Sequence, residues 1–123
     1  MLIAAFVIVT LAVALGAVLA VMHIQMKSAT MPRRQLAALH GLLALIGLGC
    51  LILALGGPPR GLDQGTASFG IIAAALFALA AVLGGGLLAS RIFKGRIGGG
   101  LIGIHATLAV SGFVILAAYV FAG

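Results

Sequence analysis

Apolar residues fill this chain in four long blocks, and polar residues are confined to the three short stretches between them. The blocks run over about 2–23, 36–55, 67–90 and 101–121. Each reaches the roughly 20 residues a helix needs to cross the hydrocarbon core of a bilayer. None alternates apolar with polar positions, so spanning helices are expected rather than strands of a barrel. Gly and Ala recur inside every block, which suits close packing of helices in lipid. The expected fold is all-α: an integral membrane four-helix bundle forming one transmembrane domain over 1–123.

The connectors carry the polar chemistry. The first, 24–35, holds Lys27, Arg33 and Arg34, with Thr30 and Pro32 as helix-start punctuation. The second, 56–66, reads GGPPRGLDQGT and is the plainest loop signal in the chain. The third, 91–100, holds Arg91, Lys94 and Arg96. Connectors one and three share a membrane side and have three cations each, whereas Arg60 in connector two is offset by Asp63. The positive-inside rule places the former in the cytoplasm and both termini outside, as in a bacterial inner membrane. The first block follows no basic leader and meets no polar cleavage region, so it reads as a retained helix rather than a signal peptide.

Composition narrows the function. Of 123 residues, 64% are hydrophobic and 7% charged, with a mean hydropathy of +1.40. So few charges cannot coat a soluble domain. Seven cations against one acid give a net charge of +6, but these cations lie in short connectors and point to anionic lipid, not to nucleic acid. Cys50 is single, lies in an apolar block and reads as a small hydrophobe. No Asp or Glu falls within a block, which argues against a proton-coupled transporter or pump. There is no CxxC, no carboxylate pair and no Ser-His-Asp set, so chemistry by side chains alone is not expected.

Two histidines stand out, because an ionisable residue inside a span is a functional hypothesis by default. His40 and His105 each lie about four residues into their block from the same membrane side, roughly 6 Å down at 1.5 Å per residue. Their surroundings match at a spacing of 65 positions: Leu36 with Leu101, Leu43 with Leu108, Ala44 with Ala109, Gly47 with Gly112, and Leu51 with Leu116. Blocks one and three share almost nothing at that spacing. The matched pair suggests a duplicated helical hairpin, with two histidines related by an axis along the membrane normal.

Each histidine has a strip of Ala then Gly on its own helix face, at the fourth and seventh residues beyond it. Neutral imidazole is an ordinary axial ligand of haem iron. Small residues at 44, 47, 109 and 112 would leave room for a porphyrin standing along the helices. Arg33, Arg34, Arg91, Lys94 and Arg96 lie at the end where its anionic propionates would need partners. Structural histidines and a different metal are the competing readings. Small-residue strips also serve plain helix packing.

His40 with Gly47 and His105 with Gly112, on the second and fourth blocks, resemble the small membrane b-type cytochromes, of which the cytochrome b561-like proteins are the nearest. The resemblance implies a four-helix bundle and electron transfer through haem b, with quinone or other membrane redox subunits as partners. Two-haem members need four ligand histidines, and this chain has a single matched pair. The resemblance therefore implies one haem b per chain, near one membrane face. The rival readings are an accessory subunit that packs against a larger membrane complex, and a haem-binding module without redox turnover.

His23 ends block one on the side of connector one. It is expected to be interfacial, or to reach a propionate or a quinol site. Met22, His23, Met26 and Met31 form a weak copper pattern that core filling explains as well. Gly84–Gly86 interrupt block three and fit a close approach of another helix or a flat cofactor. Gly98–Gly100 read as a turn, and neither run has the Lys-Ser/Thr of a phosphate loop. Tyr119, Phe121 and Phe6 are expected to anchor the outer interface.

Overall fold

The computed structural model of the protein describes residues 1–25, 31–95 and 98–122, with 31–33 described by backbone alone. It consists of four helices: α1 (Leu2–Gln25), α2 (Met31–Leu55), α3 (Phe69–Lys94) and α4 (Gly99–Phe121). All four are long and apolar enough to cross a membrane, and no strand occurs among the described residues. Each helix outruns its apolar block at the end nearest connectors one and three. Hydropathy marks the part that lies in hydrocarbon, but a helix keeps satisfying its own backbone beyond it. Thus α2 begins four to five residues before Leu36. Pro32 sits in its first turn, where the missing N–H costs nothing. Helix α3 carries Arg91 and Lys94 in its last turn and stops at Gly95, whose φ of 66° is the left-handed C-cap conformation. Gly84–Gly86 do not break α3, and Gly99 and Gly100 are helical rather than part of a turn.

The helices form a ring in which each packs against its two sequence neighbours and α1 closes against α4. The pairs α1–α2 and α3–α4 are the most intimate, so the bundle is two hairpins laid together, with α2 and α4 on one diagonal. Matching residues also occur in the odd helices, in a different register. Ala5 and Ala73, Leu11 and Leu79, Ala12 and Ala80, Leu15 and Leu83, Gly16 and Gly84, and Leu19 and Leu87 are each 68 positions apart. The even helices match at 65. The second hairpin is therefore three residues shorter between its matched levels. This shift hides the relation of blocks one and three from a single-offset comparison.

Burial follows the same twofold pattern. Leu51 and Leu116 are 0% exposed, as are Ala5 and Ala73. Val9 and Phe77 face Gly47 and Gly112, and Ala12 and Ala80 lie one turn further along. Phe6 stacks on Phe113 at 5.7 Å and meets Phe121 edge-on at 5.5 Å, and Tyr119 is buried against Gly70. All of this core occupies the half of the bundle that holds the termini and connector two. In the other half, none of the described residues of 13–25, 34–46, 81–95 and 98–111 is buried. The packed core ends at the level of the two histidines. Outward side chains such as Val7, Leu42, Ile71, Val82 and Val114 are exposed, as suits faces turned to lipid.

Candidate functional site

The two histidines meet across the bundle centre. His40 is nine residues into α2 and His105 six residues into α4. They therefore lie roughly 14 and 9 Å from their helix starts, deeper than the apolar blocks alone suggest. Their ring centroids are 6.1 Å apart and the ring planes cross at 78°.

Each ring is tied to the other helix of its own hairpin. His40 Nδ1 lies 2.7 Å from the Ala12 main-chain oxygen, and His105 Nδ1 lies 2.8 Å from that of Ala80. A carbonyl only accepts, so Nδ1 is the donor in both cases. In the neutral ring this leaves the lone pair on Nε2, for which the structure holds no protein partner among the described residues. A histidine that binds a metal commonly donates its other N–H to a backbone carbonyl in this way.

The local reason lies in an Ala-x-x-x-Gly unit on α1 and its counterpart on α3. The oxygen of a helical residue already accepts the N–H four residues on, but it has a second lone pair. A side chain at that fourth position would cover it. At Gly16 a Cβ would come within 2.9 Å of His40 Cε1, and at Gly84 within 3.2 Å of His105 Cε1. The glycines thus uncover the Ala12 and Ala80 oxygens and make space for the imidazoles. Neither Gly16 nor the two carbonyls stood out in the sequence, and Gly84 did so only as part of a triplet. The signal was the repeated Ala-Gly spacing, legible once the odd helices are aligned at 68.

The other expected site residues divide. Ala44 and Ala109 lie half-buried one turn beyond the histidines. The space over Gly47 is taken by Val9, to whose Cγ2 a Cβ at 47 would come within 2.7 Å. The space over Gly112 is taken by Phe77 in the same way, at 3.1 Å. These two glycines therefore let α1 close on α2 and α3 on α4. The part of the bundle without a core lies on the opposite side of the histidines, toward connectors one and three.

At that end Arg34 and Lys94 are exposed and Arg91 is half-buried. Arg91 stands seven residues past Gly84, and His23 seven past Gly16, so each shares a face with its glycine. In the 68-residue register His23 and Arg91 are equivalent positions. His23 is exposed. The Arg33 side chain, Lys27, Thr30 and Arg96 lie outside the described residues, as do Met26 and the Met31 side chain of the copper pattern.

Among the described residues no three His, Cys, Asp or Glu side chains come together. His40 and His105 are a two-donor set, and a metal held there needs its remaining ligands from elsewhere. No family model, no curated protein and no solved structure matches this chain.

Proposed function

We propose that the protein is a membrane b-type cytochrome that binds one haem b between His40 and His105 and transfers electrons near one membrane face. Two imidazoles 6.1 Å apart, each with Nδ1 tied to a main-chain oxygen and Nε2 left for a ligand, carry this reading. Two metal–imidazole bonds of about 2.0 Å each would take up about 4 Å of the ring separation of 6.1 Å. What remains is about the sum of two ring radii. With both Nε2 atoms turned toward a common point, the pair would suit a metal whose other four positions are filled by a macrocycle. Arg91, Arg34 and Lys94 lie toward the connector-one and connector-three end, where they would be cations for two carboxylates.

Bound there, haem supplies a one-electron couple. The chain's own residues do the rest. His40 and His105 would hold the iron, one from each hairpin. The Ala12 and Ala80 oxygens fix the tautomer and raise the basicity of each ligand. The packed half around Leu51, Leu116 and Phe77 keeps water and donors away from the far side. No second histidine pair stands in that half, so one chain offers electron exchange at the connector-one face, with a quinone or a neighbouring redox subunit as partner. Connectors one and three then face the cytoplasm of a bacterium, with both termini outside.

The test is a reduced-minus-oxidised visible spectrum of the purified protein, expressed with ample haem, together with a pyridine haemochrome assay. A sharp α-band of the b type at about one haem per chain is the expected result. Absence of a Soret band would overturn the reading and favour an accessory subunit.

A further inference from the structure

We propose that Gly16 and Gly84 are positioning residues, which seat the two imidazoles against the neighbouring helix backbone so that they present their Nε2 atoms with crossed ring planes. The proposal rests on the haem reading for its spectroscopic form, but the seat itself is a property of the protein alone.

The observations come in two independent copies. On α1 the Ala12 oxygen holds His40 Nδ1, and on α3 the Ala80 oxygen holds His105 Nδ1, at 2.7 and 2.8 Å. In both, the residue four positions on is glycine, and the atom nearest to its absent Cβ is the imidazole Cε1. Cε1 lies between the two ring nitrogens. A methyl group there presses on the edge that carries both the tether and the ligand atom. The ring has to rotate or withdraw, and the Nδ1–H bond is lost with it. Gly85 and Gly86 have open space over them, so the need for glycine is specific to position 84.

The seats also determine the angle between the rings. Each imidazole is tethered to, and backed by, the neighbouring helix of its own hairpin. The two tethered ring planes cross at 78° instead of lying parallel. Crossed axial imidazoles leave two iron d orbitals of ferric low-spin haem nearly degenerate, and parallel ones split them. The first gives an electron paramagnetic resonance spectrum dominated by one low-field feature, the second a rhombic three-line spectrum.

The experiment uses the full chain in two states. In the haem-loaded protein, the wild type should give the single low-field feature. Gly16→Ala should shift toward the rhombic form and bind haem about tenfold more weakly or worse. Gly84→Ala should shift in the same direction but less, because its neighbour is 3.2 rather than 2.9 Å away. Gly85→Ala should match the wild type. In protein made without haem, nitrogen-15 spectra of the imidazoles should show the Nδ1–H tautomer at His40 and His105, with His40 losing it in Gly16→Ala. Wild-type tautomers and a wild-type spectrum in both Gly16→Ala and Gly84→Ala would overturn the proposal. If the wild type takes up no haem, the haem reading fails, and the haem-free spectra still decide whether the glycines seat the rings. Should Gly16→Ala not fold, the milder Gly84→Ala decides alone.

Discussion

His40 and His105 face one another at 6.1 Å although their helices lie on a diagonal of the bundle, and neither ring is bonded to the other's hairpin. Each is held instead by its own partner helix. The site is thus two half-sites, each complete within a hairpin, brought together by packing in the opposite half of the molecule. What holds the halves together is separable from the histidine pair itself, and substitutions at the two places should read out differently.

His40→Ala and His105→Ala should each abolish haem retention, because one imidazole leaves the metal short of a ligand. His23→Ala should retain haem, since its exposed side chain is some 10 Å, seven residues of helix, from the level of the Gly16 seat. Haemochrome assay of the three purified variants checks this. Loss in His23→Ala alone would reverse the ligand assignment.

The core half should respond to volume. Leu51 and Leu116 are equivalent and fully buried, so Leu51→Ala and Leu116→Ala should each cost about 2–5 kcal/mol. Unfolding of the purified protein in detergent would show both, with similar losses. The visible spectrum of whatever remains folded should be unchanged, because neither residue touches the rings.

Overpacking gives the complementary test. Gly47→Leu places a side chain where Val9 already stands, forcing α1 from α2. A loss of about 1–3 kcal/mol is expected, with a lowered melting temperature. Gly49→Leu, at a position with open space above it, is the matched control and should fold as the wild type does.

Much of this was legible in the sequence, for stated physical reasons. Four apolar blocks specify four spans, because the bilayer demands helices of that length. The pairing of His40 with His105 was readable from their matched neighbours. Helix ends were less so: polar residues such as Arg34 and Lys94 continue a helix into the interface, and hydropathy cannot see that. Gly47 and Gly112 read in the sequence as room for a cofactor, and in the structure Val9 and Phe77 stand over them. A glycine marks close approach without saying of what. Gly16 and the Ala12 oxygen were invisible, since a backbone acceptor leaves no residue type of its own.

Arg91 offers an electrostatic readout. It is half-buried on the face of Gly84, roughly 10 Å along α3. A unit charge at that distance is worth about 1–2 kcal/mol at an effective dielectric near 20, and partial exposure lowers this. In the proposed haem protein a cation would disfavour the oxidised, more positive state of the iron. Arg91→Gln should therefore lower the reduction potential, by tens of millivolts for a one-electron couple. Potentiometry of both proteins checks the sign; an unchanged potential would show that Arg91 does not face the haem.

The orientation in the membrane is the last expectation, and it rests on charge alone. Connectors one and three hold six cations and no acid, and connector two holds one of each sign. If the positive-inside rule governs, Asp63 is outside and Lys94 inside. Cys50 would first be replaced by Ala, and single cysteines introduced as Asp63→Cys and Lys94→Cys. In intact bacterial cells a membrane-impermeant thiol reagent should label position 63 and spare position 94. Permeabilised cells should show both labelled, since both positions are exposed. The reverse pattern would place the histidine end outside, and the electron partner with it. It would also mean that the cations of connectors one and three are kept for an anionic ligand rather than for topology, which would strengthen their assignment to the haem carboxylates.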